Sequence, residues 1–226
     1  MFFNNLASII REQKTVFLLA IVIIAAGVFM GATNTGLGQS TLEDVSGELQ
    51  ATDFQNLPLV FSMIVTNNVG IAVDTWIAGF MVIPTVIFGI YSVGLPFGIY
   101  LNPTLVKPEI TLIAFASFGI LEFLAMIYAV AAGLMIPNLY VHLLRERKWS
   151  VLTETLRSGA ILIAYSTITL IISGFLEAFL IYAASTDSTL SLAALVVGVF
   201  TSLIYFNRLL KTIGSVIIKP VQNTTF

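Results

Sequence analysis

The sequence predicts an all-α protein, an integral membrane bundle of about six transmembrane helices with N- and C-termini cytoplasmic. Three observations carry that prediction. The 226 residues are 58% hydrophobic and only 10% charged, with a mean hydropathy of +0.98, which is more apolar surface than one soluble core can hide. Several apolar runs reach the roughly 20 residues that cross ~30 Å of hydrocarbon. The basic residues gather in alternate connections between those runs, as the positive-inside rule requires of a cytoplasmic face.

In chain order, residues 1–14, "MFFNNLASIIREQK", place Phe2, Phe3, Leu6, Ile9 and Ile10 on one helical face and read as an interfacial amphipathic segment. Thr15–Gly36 is the first span; it is too long for the apolar core of a cleaved signal peptide. Residues 37–57 form an acidic loop with Glu43, Asp44, Glu48 and Asp53 and no basic residue, expected to be extracellular. Within it "STLE" has capping-box spacing ahead of Leu42, Val45 and Leu49, predicting a short amphipathic helix. Leu57–Val73, interrupted by "TNNVG", is the shortest candidate span; an even number of crossings requires it, with Asp74 near a tight cytoplasmic turn.

Thr75–Leu101 follows, with Pro84 and Pro96 expected to kink or break its helix. Then come Ile110–Ile136, a basic connection 137–158 holding Arg145, Arg147 and Lys148, and the spans Gly159–Ala183 and Leu190–Phe206. Arg11, Lys14, Arg208, Lys211 and Lys219 agree with cytoplasmic termini, whereas Lys107, in the outside loop "NPTLVKPE", dissents. Residues 1–226 are thus one transmembrane domain, expected in the plasma membrane as a multi-pass protein.

The residue inventory narrows the chemistry. The chain has no cysteine and a single histidine, His142, and a net charge of −2. No metal site is expected, and no G-x-S-x-G, H-E-x-x-H or P-loop is present, so no catalytic residue, cofactor or enzymatic activity is anticipated. Nothing in the charge points to nucleic acid. The expected surroundings are the lipid bilayer, a homodimer partner, and membrane or cytoplasmic protein partners. Small residues at Gly27/Gly31, Gly94/Gly98 and Gly133 allow helices to approach closely, within the bundle or across a dimer.

Two acids lie inside spans, Glu122 in "FGILEFLAMIYAVAAG" and Glu177 in "SGFLEAFLIYAA". Every Lys and Arg lies at a span end or in a loop. An ionised carboxylate unpaired in hydrocarbon is costly, so such a group keeps its proton or faces water or a bound cation. Helical spacing puts Ser166, Thr169, Ser173 and Gly174 beside Glu177, and Gly119, Ala125, Met126, Ala129 and Gly133 beside Glu122, so both faces are interior. At ~1.5 Å per residue, Glu122 is expected near the midplane, roughly 18 Å from the outer end of its span, and Glu177 roughly 9 Å from its own. Two readings remain open: neutral acids that hydrogen-bond neighbouring helices, or a proton, cation or polar-substrate path.

The order "VFSMIVTNNVGIAV", a Gly/Pro-rich hairpin, "GILEFLAMIYAVAAGL" and "ITLIISGFLEAFL" resembles the stage II sporulation protein M family over about Phe61 to Leu180. The resemblance assigns its motif positions to Asn68, to Glu122 with Ala125 and Gly133, and to Glu177 with Ala178. Phe118 stands where the family's histidine commonly lies. In endospore formers the resemblance implies a membrane-anchored complex with cell-wall-remodelling proteins, to which the member contributes no enzymatic centre. The expected function is therefore a non-enzymatic membrane scaffold or partner-recruiting component. The alternative is a small transporter or permease subunit with a path through Glu122 and Glu177, served by a separate ATPase on the cytoplasmic turns.

Overall fold

The computed structural model describes residues 2–40, 54–146, 149–186 and 188–218. The predicted helix around "STLE", most of the acidic loop, Arg147, Lys148 and Lys219 lie outside the described residues. Helix α1 (Phe2–Glu12) is amphipathic. Leu6 and Ile9 are buried in the bundle while Arg11 and Glu12 are exposed. After Gln13, α2 (Lys14–Thr33) buries Val16, Phe17, Ala20, Ile23, Ile24, Gly27 and Gly31, a stripe at three- and four-residue spacing. Leu18, Val22 and Phe29 cover its outer side.

Helix α3 (Leu57–Ile77) starts where the Asn56 side chain accepts from the Leu59 amide at 3.2 Å, with proline in the first turn. It passes through "TNNVG" unbroken and ends in a 3₁₀ turn, Ala78–Phe80. Leu57–Phe80 is therefore long and apolar enough to cross a membrane, and the turn falls at Gly79–Met81 instead of near Asp74. The chain leaves the helix at Met81, which is extended (φ −121°, ψ 103°). Apolar Trp76 and Ile77 carry the helix past Asp74, and the small Gly79 permits the tight exit against α7.

The third crossing is a single helical rod in three parts: α4 (Val82–Ile87), a π-helical stretch Phe88–Gly94, and α5 (Leu95–Leu101). The Thr75–Leu101 stretch is broken ahead of Pro84, at the extended Met81, whereas from Val82 the helix continues past Pro96. Pro84 lies in the first turn of α4, where no intrahelical donor is required. Pro96 follows the π stretch, whose wider turn accommodates the missing N–H.

The fourth crossing repeats the device with α6 (Pro108–Ala114), π-helical Phe115–Gly119 and α7 (Ile120–Glu146). α8 (Trp149–Thr186) and α9 (Ser188–Ile218) complete the bundle. Six helices are thus long and apolar enough to cross a membrane, and no strand occurs among the described residues.

α7 is the axis. Every residue from Ala125 to Ile136 is buried, five of them alanine or glycine, and α2, α3, α8 and the Ala78–Phe80 turn pack around it. α8 contacts α3 on one side and α9 on the other. The glycines named above lie at these contacts. A Cβ on Gly27 would stand 2.8 Å from the Gly94 Cα, and one on Gly98 would stand 2.8 Å from the Val28 carbonyl carbon. One on Gly133 would meet the Thr75 carbonyl oxygen at 2.6 Å. These glycines join helices within one chain.

Candidate functional site: a carboxyl pair joining three helices

The polar residues of the middle of the bundle converge on one point. Asn68 of α3 donates from Nδ2 to Glu122 Oε1 of α7 at 2.5 Å. Glu177 and Ser173 of α8 are both within hydrogen-bonding reach of the Glu122 carboxyl, and Ser173 Oγ also points to the Phe118 carbonyl at 3.5 Å. The carboxyl groups are deeply set although each glutamate as a whole is half-buried. The four candidates Asn68, Glu122, Ser173 and Glu177 therefore form one site. The two acids meet each other, so their expected difference in depth does not separate them.

Local structure explains the convergence. The π-helical Phe115–Gly119 ends three residues before Glu122, and its extra residue per turn resets the direction in which the following side chains point. On α8, Ser173 and Glu177 are four residues apart and share a face. Gly174 lets α3 approach: a Cβ there would be 2.8 Å from the Val65 side chain. Tyr100, at the end of α5, is near enough to both carboxyls to be under their electrostatic influence.

Chemically, two carboxyl groups this close can hydrogen-bond to each other only when one of them carries a proton, since two carboxylates offer only acceptors. Asn68 supplies a neutral donor and Ser173 a second polar partner. No group of three or more His, Cys, Asp or Glu side chains with metal-ligand placement occurs among the described residues, so a metal at this point would have two carboxyls and neutral oxygens only.

The network also reaches the surface of the bundle. Asn67 donates from Nδ2 to Asn68 Oδ1 at 3.2 Å and is itself exposed, as are Ser62, Met63 and Thr66. Gly70, one turn further along, has nothing within 4 Å of where a Cβ would lie. The outward face of α3 at mid-span thus carries Ser62, Thr66, Asn67 and Gly70 beside Met63, and Asn67 connects it through Asn68 to Glu122.

Sequence reasoning missed this outward continuation and the pairing of the two acids. The absence of any intramembrane cation was the available signal for the latter. It also missed a second polar layer: Thr169 Oγ1 lies 2.8 Å from the Tyr205 hydroxyl and donates to or accepts from it. Tyr128 and Tyr165 lie alongside, and Tyr165 reaches the Leu6 backbone. That layer ties α1, α7, α8 and α9 together.

The model of the stage II sporulation protein M family matches residues 15–180, a stretch that contains the whole carboxyl site. The chain belongs to that family. No curated protein and no solved structure matches it.

Proposed function

We propose that this member of the stage II sporulation protein M family is a non-enzymatic membrane scaffold, a plasma-membrane component with both termini cytoplasmic. It recruits a partner helix to the outer face of α3. The observation that carries the reading is the line Asn67–Asn68–Glu122–Glu177, which connects an exposed amide at mid-span to an enclosed carboxyl pair. An amide facing hydrocarbon is unfavourable, and small residues such as Thr66 and Gly70 are what a close helix contact uses. A partner there satisfies Asn67, and the carboxyl pair holds α3 in register to receive it.

The cysteine-free chain provides a clean test. Thr66→Cys and Gly70→Cys are compared in native membranes with Leu18→Cys on the lipid-facing side of α2, using a membrane-permeant maleimide. Protection of the two α3 positions that is released by detergent, with full labelling at Leu18→Cys, supports recruitment. Equal and complete labelling at all three positions refutes it.

The half-buried state of the two glutamates favours one second reading, a permease subunit. In proteoliposomes, a protein-dependent proton or cation flux that Glu177→Gln abolishes while the fold survives establishes the permease in place of the scaffold.

A further inference from the structure

Lys107 is out of place. Among the described residues, Arg11, Lys14, Arg145, Arg157, Arg208 and Lys211 all lie, by their position relative to the six candidate spans, at the opposite end of the bundle. A lone cation against this distribution calls for a local reason. Among the described residues no carboxylate forms an ion pair with it.

The reason lies in the surface around it. Between the end of α5 and the start of α6 is a cleft of about 320 Å³, lined by Leu101, Val106, Pro108, Leu112 and Phe115 together with Thr111. Thr111 is its polar residue, and its hydroxyl is already given to the Tyr100 carbonyl at 2.5 Å, so the cleft presents apolar surface.

The connection 102–107 is equally self-contained. Asn102 is buried. Its side chain accepts from the Thr104 amide at 3.0 Å and from the Thr104 hydroxyl at 2.6 Å. Its carbonyl accepts from the Leu105 and Val106 amides at 3.0 Å each. Asn102 and Thr104 are thus bound to each other within the loop, and beside the apolar wall Lys107 and Glu109 are exposed. Leu112 and Ile110, 71% and 53% exposed, put the mouth of the cleft on the lipid-facing side.

We infer that this cleft binds an anionic phospholipid, with an acyl chain along Leu101, Leu112 and Phe115 and the phosphate on Lys107. The apolar wall selects a chain, and a cation at the level where head groups lie selects their phosphate. Glu109, two residues on and exposed, moderates the preference for negative charge without removing the local ammonium–phosphate contact. This inference stands apart from the α3 surface and does not depend on recruitment there.

The test reads the site locally, because the basic connections at the other face also attract anionic lipid. A fluorophore is placed at Ile110→Cys, beside the cleft, and in a second protein at Leu192→Cys, an exposed position on α9 at the same end of the bundle. Each is reconstituted with chain-matched brominated phosphatidylglycerol or brominated phosphatidylcholine.

At Ile110→Cys, the phosphatidylglycerol is expected to quench at about fivefold lower mole fraction, the ratio that ~1 kcal/mol per basic residue near an anionic surface gives. Leu192→Cys is expected to show no preference. Adding Lys107→Gln, an exposed change that helicity by circular dichroism will show to be folded, brings the two lipids level. Equal quenching by both lipids at Ile110→Cys overturns the proposal, as does a preference that survives Lys107→Gln. So does relief of the preference by millimolar inorganic phosphate, which identifies a plain anion site in place of a lipid site.

Discussion

Where α2 crosses the rod formed by Phe88–Leu101, backbone lies on backbone: Gly27 against Gly94, and Gly31 and Val28 against Gly98. Where α3, α7 and α8 meet, the connection is made by side-chain oxygens and nitrogens of Asn68, Glu122, Ser173 and Glu177. The first contact is dry, short-range and dependent on the absence of atoms. The second depends on the presence of particular polar atoms and tolerates space around them. In a bilayer neither can draw on burial from water between helices, so the difference shows two separate ways of holding helices together there, van der Waals closeness and interhelical hydrogen bonding. They should fail under different substitutions.

The largest effect is expected on the dry side. Replacing Gly27 and Gly94 together by isoleucine puts branched side chains where a single Cβ already stands 2.8 Å from the facing Cα. The rod must then move off α2, at a cost of about 3 kcal/mol or more. Thermal unfolding followed by circular dichroism in detergent measures it, and a melting profile equal to that of the parent would show that closeness is not what binds these helices.

A smaller effect belongs to the polar side. Glu177→Leu leaves the enclosed Glu122 carboxyl without its facing partner and should destabilise by about 1–3 kcal/mol. Glu177→Gln keeps shape and hydrogen-bonding capacity and should cost clearly less. If Gln is as damaging as Leu in the same unfolding assay, hydrogen bonding is not the pair's contribution.

The smallest effect sharpens the contrast from outside. Gly70→Ile enters open space on α3 and should change the stability of the isolated protein within about ±0.5 kcal/mol. In native membranes it should nonetheless abolish the protection of Thr66→Cys. A large loss of stability in detergent would mean that Gly70 serves the fold itself.

Much of this organisation is legible in the sequence, for identifiable reasons. Spans declare themselves by length and hydropathy, and small residues four apart declare close contacts, so Gly27, Gly31, Gly94 and Gly98 can be selected from the letters alone. Which helices those glycines join cannot, because any small stripe fits any other.

Asp74 misled as a turn marker because one exposed acid near the end of a helix does not stop it, whereas the extended Met81 does. Pro96 misled because the sequence does not reveal the π turn that accommodates it. The four polar candidates could be listed from the sequence; that Glu122 and Glu177 face each other depended on the paths of α7 and α8 and on the π-helical Phe115–Gly119.

One consequence follows from the length of α8. Its 38 residues span roughly 57 Å at ~1.5 Å per residue, against about 30 Å of hydrocarbon. The helix is unbroken and has no proline, and Glu154 and Arg157 near its start are exposed. It is longer than the hydrocarbon is thick, so one continuous helix carries both the exposed Glu154 and Arg157 and the Glu177 of the carboxyl site.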